Sequence, residues 1–174
     1  MIRPVMKMGE PVLLDKAMPV EAFGTPELRK FVADMWETME AEGGIGIAAP
    51  QVGASLQIVC FGNKKSEEAV GEMHVPQTVL INPVVEPVGD EVASIWEGCL
   101  SVPGMRGRVT RPAVVRYSGY DLEGERIERT VEGMHARVVL HEVDHLHGIL
   151  YPMRIADWHD FGYSDVLFPK KPEA

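Results

Sequence analysis

One segment near residue 140 constrains the fold more than any other part of the sequence, because it combines predicted burial with ionisable side chains. Apolar residues between Met134 and His147 recur at helical spacing, and Gly148 follows as a stop signal. These apolar residues lie most of the way round the helix, which is typical of a buried helix. The same stretch carries His141, Glu142, Asp144 and His145. Buried ionisable groups are costly without partners, so this helix should lie inside the protein with its polar groups engaged.

The run from His141 to His145 has the HExxH pattern. Residues at positions i and i+4 share one face of a helix, so both imidazoles can reach a single metal ion. Glu142 lies beside that face and can take a proton from an activated water. Two histidines and a glutamate also occur by chance on surface helices, but the predicted burial argues against that interpretation.

A catalytic metal site needs three protein ligands and an open position. The downstream candidates for the third ligand are His147, Asp157, His159 and Asp160, none of which has a convincing position. Upstream, Cys99 follows Gly98 and precedes Pro103, so we expect it in a turn rather than in a regular strand. From the residues alone, this thiol is a ligand, a nucleophile or an inert core residue. Cys60 lies in an apolar stretch and is expected in the core.

The remaining pattern predicts mixed helix and strand in a single domain over residues 1–174. Residues 1–24 form an extended lead-in, and a helix then starts at Thr25 and Pro26 and ends at Gly43. We expect a surface loop over 62–77 and a short tail over 152–174, whose last residues, 170–174, should fray. The predicted strands are 56–61, 78–82, 84–88, 113–117 and 126–131.

Composition narrows the range of partners and compartments. The net charge is −9, which disfavours a DNA-binding surface. Two cysteines make no disulfide framework, so a reduced setting is expected. No signal-peptide core and no membrane-spanning run are found. We therefore expect a cytoplasmic protein that binds neither DNA nor membrane.

Three motifs follow one another along the chain. They are Gly44-Ile45-Gly46-Ile47-Ala48-Ala49-Pro50-Gln51-Val52-Gly53, then Glu97-Gly98-Cys99-Leu100-Ser101, then His141-Glu142-Val143-Asp144-His145. Together they resemble the three signature motifs of the peptide deformylase family, and the resemblance extends from the N-terminal helix to about Tyr151. It implies an α+β fold in which small antiparallel β-sheets pack around a central metal-binding α-helix.

The resemblance also implies a function. Peptide deformylases are metal-dependent hydrolases of protein biosynthesis that remove the N-formyl group from the N-terminal methionine of nascent polypeptides and release formate. The family's physiological metal is Fe(II), whereas Zn(II), Ni(II) or Co(II) also fit the ligand types. The nascent N-formyl-Met polypeptide is the expected partner.

Site residues follow from the same resemblance. It implies that Cys99, His141 and His145 bind the metal, with water in the fourth position. It implies that Glu142 is the general base and that the side-chain amide of Gln51 and the backbone N–H of Leu100 stabilise the oxyanion. The residues expected to bind substrate, some along an added strand and some in a methionine pocket, are Ile45, Gly46, Ile95, Arg106, Met134 and Val138. We also expect Arg111 to bind Asp144, and Glu97 to support the Cys99 turn.

Two departures and two alternatives accompany this interpretation. Many family members have Gln where this chain has Leu140, a position that is not a ligand. Many also carry a long C-terminal helix that docks on the ribosome, so a transient ribosome contact by this chain's short tail stays open. The alternatives are an HExxH metallopeptidase that cuts internal amide bonds and a non-catalytic binder of N-formyl-Met peptides.

Overall fold

The computed structural model describes residues 1–169, so the fraying expected for 170–174 lies outside the described part of the chain. Helix α1 spans Pro26–Ala41, where the Thr25 side chain accepts a hydrogen bond from the backbone N–H of Leu28 at 3.1 Å. This cap and the proline in the first turn confirm the predicted start of the helix. Its buried stripe packs against the sheet and includes Leu28, Val32, Met35 and Met39.

Within residues 1–169, eight strands and three further helices complete the regular structure, apart from short 3-10 turns. The helices are α2 (Lys64–Glu67), α3 (Gly133–Leu146) and α4 (Ser164–Leu167). The strands are β1 (Gly46–Ala48), β2 (Ile58–Phe61), β3 (Thr78–Pro87), β4 (Val92–Cys99), β5 (Val102–Pro112), β6 (Val114–Tyr120), β7 (Arg126–Glu132) and β8 (Phe161–Tyr163).

The strands form two antiparallel sheets. One has the order β1-β2-β3-β6-β7 and the other has the order β4-β5-β8. Helix α3 packs against β1, β2 and β3 of the larger sheet and also contacts β5 of the smaller one. The predicted class is therefore confirmed: the fold is α+β, with small antiparallel sheets around a central helix.

The smaller sheet corrects two expectations. Strands β4 and β5 were not predicted, because Gly98, Pro103, Gly104 and Gly107 interrupt their apolar pattern. Cys99 is the last residue of β4 and pairs with Val102, so it ends a regular strand instead of lying wholly within a turn.

Three smaller differences concern loops and the tail. The predicted strands on either side of Pro83 are one strand, β3, with a register shift between Ile81 and Val84. The expected loop over 62–77 contains α2 and a 3-10 turn at Gly71–Met73. The tail contributes β8 to the smaller sheet, where Gly162 pairs with Arg106. Among residues 1–169, no helix has the length and apolar character needed to cross a bilayer.

Candidate active site

Three side chains from two elements meet between the sheets. His141 and His145 lie one helical turn apart on α3, and Cys99 comes from the end of β4. The ligand atoms of all three lie within 4.8 Å of one another. The Sγ of Cys99 is 3.3 Å from Nε2 of His145. The fold therefore brings together the three residues expected to bind a metal. Cys99, His141 and His145 form the ligand group of the site.

Glu97 fixes the orientation of one of these histidines. It accepts a hydrogen bond from Nδ1 of His141 at 2.8 Å, which leaves Nε2 to face the ligand group. Arg111 donates to both carboxylate oxygens of Glu97, at 2.7 and 3.0 Å, and Arg137 donates to one of them at 2.8 Å. Glu97 thus does more than support the Cys99 turn, because it positions His141 directly.

The surroundings of the ligand group favour the ionised form of Glu97 and the neutral form of His145. Burial opposes ionisation of Glu97, but hydrogen bonds from His141 and Arg111 outweigh it and lower the pKa of this carboxyl. Burial lowers the pKa of His145, and the positive charges of His141 and Arg111 lower it further. A metal ligand must be a neutral imidazole, and this environment favours that form of His145.

Glu142 is a buried carboxylate beside the ligand group. It is 4% exposed, and its Oε2 has no hydrogen-bond partner within residues 1–169. Burial raises the pKa of Glu142 to about 7. The carboxylate lies against Gly46 of β1, where a Cβ atom would overlap it. A glycine at this position therefore leaves the space that Glu142 occupies.

The amide of Gln51 has a fixed orientation. Its Oε1 accepts a hydrogen bond from the backbone N–H of Ala48 at 2.8 Å, so its Nε2 points the other way. Nε2 donates to Oγ of Ser101 at 3.1 Å and lies 3.4 Å from Sγ of Cys99. The glycine-rich segment that follows α1 thus forms β1 and a 3-10 turn over Ala49–Val52, which together place an amide donor at the ligand group.

The turn between β4 and β5 carries Leu100. Its side chain is half-buried and packs against Gly44, and its carbonyl oxygen accepts a hydrogen bond from Nζ of Lys7 at 3.1 Å. Leu100 lines the same cavity as Cys99 and Gln51. The structure therefore places all three residues expected to act in catalysis, Glu142, Gln51 and Leu100, around one space.

A cavity of about 480 Å³ opens beside the ligand group. Polar groups of the site lie in its wall beside aliphatic side chains, as expected for a pocket that binds an apolar group and holds it for reaction. The residues expected to bind substrate all line it: Ile45, Gly46, Ile95, Arg106, Met134 and Val138. The guanidinium of Arg106 lies against Gly98, and its Nη1 donates a hydrogen bond to the backbone carbonyl of Met105 at 2.9 Å.

The other metal-ligand candidates lie elsewhere. His147 is exposed at the end of α3, and the side chain of His159 is 97% exposed and pairs with Asp157. None of the downstream candidates belongs to the cluster formed by Cys99, His141 and His145. These four residues, which the sequence alone could not exclude as ligands, therefore lie apart from the three expected ligands in the described structure.

Three supporting residues were missed by the sequence analysis. Arg137 lies one turn before His141 on α3 and is 6% exposed. Arg154 binds Asp144 at 2.5 and 2.6 Å, together with the expected Arg111 contact at 2.6 Å. The ring of Tyr151 stacks on His141, with centroids 6.0 Å apart. Only Arg137 had a signal in the sequence, namely its i, i+4 spacing from His141.

The ligand group fits a divalent transition metal. It offers one soft thiolate and two imidazole nitrogens, a donor set that suits zinc or iron. Three protein donors leave room for water or substrate at the metal, as a catalytic site requires. The unpartnered Oε2 of Glu142 lies next to this group, where it can bond to such a water.

Comparisons with known proteins give consistent results. The model of the polypeptide deformylase family matches residues 2–160. Peptide deformylase 1 of Bordetella pertussis is 56% identical over 170 residues, which cover 98% of this chain and 97% of that protein. Peptide deformylase 1 of Nitrosomonas europaea is 57% identical over 169 residues, covering 97% of this chain and 96% of that protein.

A solved structure resembles the fold as a whole. It is the class I type b peptide deformylase from Acinetobacter baumannii with bound Met-Ala-Ser. Its TM-score to this chain is 0.81 at 38% sequence identity, and the match covers 89% of this chain and 99% of that one.

Proposed function

The chain belongs to the polypeptide deformylase family, and on this basis we propose that it removes the N-formyl group from the N-terminal methionine of newly synthesised polypeptides and releases formate. The observation that carries this proposal is the buried carboxylate of Glu142, which lies beside the three-donor group in an open cavity and whose Oε2 has no hydrogen-bond partner within residues 1–169. The Met-Ala-Ser bound to the A. baumannii enzyme supports a methionyl peptide as the substrate class.

We assign Cys99, His141 and His145 as the ligands of one divalent metal, which we propose is Fe(II) in the cell. The family is metal-dependent, and the ligand group described above has the matching donor set. When bound, such an ion supplies Lewis-acid polarisation of the formyl carbonyl and makes water more acidic. A site with Fe(II) and a thiolate is expected to be sensitive to oxygen.

Glu142 holds and moves the proton in this mechanism. Its raised pKa, about 7, makes it a suitable base near neutral pH. The carboxylate takes a proton from the water whose oxygen forms the new bond to the formyl carbon. It then gives a proton to the nitrogen of the methionine as the C–N bond breaks. The reaction consumes one water, and its products are formate and a free N-terminal amine.

Gln51 and Leu100 stabilise the charge that develops on the formyl oxygen. The Gln51 amide is already oriented by its bond from Ala48, which directs its Nε2 donor toward Cys99. The backbone N–H of Leu100 is the second proposed donor. Removal of one preorganised donor of this kind typically costs roughly 10²–10³ in rate.

The cavity wall selects and aligns the substrate. Backbone groups of Ile45 and Gly46 lie at the start of β1, where an extended peptide can add as a further strand. We propose that Ile95, Met134 and Val138 enclose the methionine side chain and that Arg106 binds the peptide backbone.

The direct test is formate release from a short N-formyl-Met peptide, using protein purified without oxygen and with its metal counted. Rapid release with about one iron per chain is the expected result. Cleavage of internal bonds in unformylated peptides would instead favour the HExxH metallopeptidase, which the named relatives do not support. Tight peptide binding without turnover by the metal-loaded protein would contradict the proposed function.

A further inference from the structure

Arg137 connects α3 to both long strands of the smaller sheet. One guanidinium nitrogen, Nη1, donates to Oε1 of Glu97 at 2.8 Å and to the carbonyl of Val109 at 3.0 Å. The other, Nη2, donates to the carbonyl of Ala93 at 2.6 Å. A single buried side chain therefore holds one carboxylate on β4, one carbonyl on β4 and one carbonyl on β5.

Arg137 and Glu97 both line the cavity, and the bonds of Arg137 run from its wall to the two strands. Val109 is the cross-strand partner of Ile95, and Ala93 is two residues before Ile95 on the same strand. Val138, which also lines the cavity, is the next residue after Arg137 on α3. The bonds of Arg137 thus tie the strand that carries one wall to the helix that carries the other.

We infer that Arg137 is a positioning residue that sets the distance between Ile95 and Val138 and thereby the selectivity for the substrate side chain. This inference rests on the proposed methionine pocket. The side chain of Arg137 is 6% exposed, and its hydrogen bonds fix α3 against β4 and β5. Although Arg137 lines the cavity, its guanidinium donates to Glu97, Val109 and Ala93, so it acts through the elements that it holds.

Arginine is suited to this role by its geometry. Its planar guanidinium offers five N–H donors in a fixed fork, so it can bond to three acceptors at set angles. Lysine keeps the charge that Glu97 needs, but its compact ammonium group lacks that fork. The substitution Arg137→Lys should therefore keep the ion pair and loosen the bonds to Ala93 and Val109.

The test compares substrates within one enzyme. We would measure kcat/KM for formyl-Met, formyl-norleucine and formyl-Phe peptides with metal-loaded wild type and Arg137→Lys. The expected result is that the preference for formyl-Met over formyl-Phe falls by about three- to tenfold, because a looser pocket discriminates less by size. A change in metal content or in the fraction of folded protein affects all substrates equally and cancels in this ratio.

Arg111→Lys is the matched control. Arg111 also binds Glu97, but its other partner is Asp144 and it makes no bond to Ala93 or Val109 in the described structure. Its substitution should lower kcat/KM for all three peptides in proportion. An unchanged preference in folded, metal-loaded Arg137→Lys, or an equal loss of preference in Arg111→Lys, would overturn the inference.

Two further measurements keep the inference testable. If Arg137→Lys does not fold, Arg137→Gln retains an amide donor and is assayed in the same way. If neither variant folds, the hydrogen bonds of Arg137 are tested by NMR of the wild-type holoenzyme. Slow exchange of the Nη protons of Arg137 supports the positioning role, and fast exchange contradicts that role. Wild type that releases no formate from any peptide would refute the proposed function, whereas normal formate release with unaltered preference refutes only the role of Arg137.

Discussion

Glu97 accepts a hydrogen bond at 2.8 Å from Nδ1 of His141, a residue 44 positions further along the chain. This bond fixes the tautomer and the ring orientation of a proposed metal ligand. Loss of the negative charge leaves the guanidinium group of Arg137 without its counter-charge and removes one of the two carboxylates that bind Arg111. We predict that Glu97→Gln lowers metal affinity by about 10- to 100-fold, which chelator competition would measure.

The control for this prediction is Glu128→Gln. Glu128 forms an exposed ion pair with Arg126 on β7, the edge strand of the larger sheet, which carries none of the three proposed ligands. Its substitution should leave metal affinity unchanged, because exposed pairs contribute little. Equal affinities of wild type and folded Glu97→Gln would contradict the positioning role of Glu97.

Replacement of the proposed base should separate metal binding from turnover. Glu142→Gln keeps the size of the side chain but cannot accept the proton, so we predict about one metal per chain and a rate lower by roughly 10²–10⁴. The measurement is formate release together with metal analysis. Glu132→Gln, at an exposed position before α3, should behave as wild type. Unchanged turnover by metal-loaded Glu142→Gln would rule out the general-base role.

The two cysteines provide a matched pair. Cys99→Ala removes a proposed ligand. Metal affinity should therefore fall by more than the roughly 10- to 100-fold that follows the loss of a residue hydrogen-bonded to a ligand. Cys60 is fully buried in β2, where burial raises the pKa of its thiol. Cys60→Ala should lower stability and leave about one metal per chain. Stoichiometric metal at wild-type affinity in Cys99→Ala would refute the ligand assignment.

Gly46 provides a steric test. A Cβ atom there would overlap the carboxylate of Glu142, so Gly46→Ala should displace the base. A misplacement of about 1 Å can cost roughly 10² in rate, and we predict a loss of that order in kcat with metal retained. Gly162→Ala is the control, since the atoms nearest to its new methyl group would be those of Leu167, at 3.5 Å or more. Wild-type kcat in Gly46→Ala would show that the carboxylate has room to move.

His135 should make stability depend on pH. Burial, together with the nearby charges of Arg129 and His74, lowers the pKa of His135 from 6.5 to about 4. Between these pH values the unfolded chain binds the proton and the folded chain does not. The free energy of unfolding therefore falls as the pH falls through this window, by at most about 3 kcal/mol.

The measurement is urea unfolding of wild type and His135→Gln at several pH values from 7 to about 4. Other titrating groups are common to both proteins, so the difference in their slopes isolates His135. His159→Gln is the control, because the His159 side chain is 97% exposed. A slope for His135→Gln as steep as that of wild type would contradict the prediction.

Much of the site could be predicted because its signals are local. The helical period places His141 and His145 on one face, and the apolar surroundings indicate that this helix is buried. The role of Cys99 could not be predicted from such local signals. The residues alone allowed a ligand, a nucleophile or a core residue, and the family resemblance implied a ligand. The Asp144–Arg111 pair was also expected and is present at 2.6 Å.

The strands that hold Cys99 could not be predicted in the same way. Glycines and a proline interrupt the alternation of β4 and β5, so the local pattern favours turns. Gly107 is one reason: a Cβ atom there would overlap Ile155, which comes from a segment almost 50 residues later. A glycine that looks like a strand breaker in the sequence is therefore a packing position in the fold.

The sequence by itself determined the central buried helix, its two histidines and the glutamate between them, because these depend on a period of a few residues. Only the tertiary structure decided how Arg137 joins Glu97, Ala93 and Val109, and which buried groups surround Cys99. The physical reason is the range of the interactions. Burial and hydrogen bonds between residues more than 25 positions apart depend on the packing of two sheets around one helix, which no local pattern encodes.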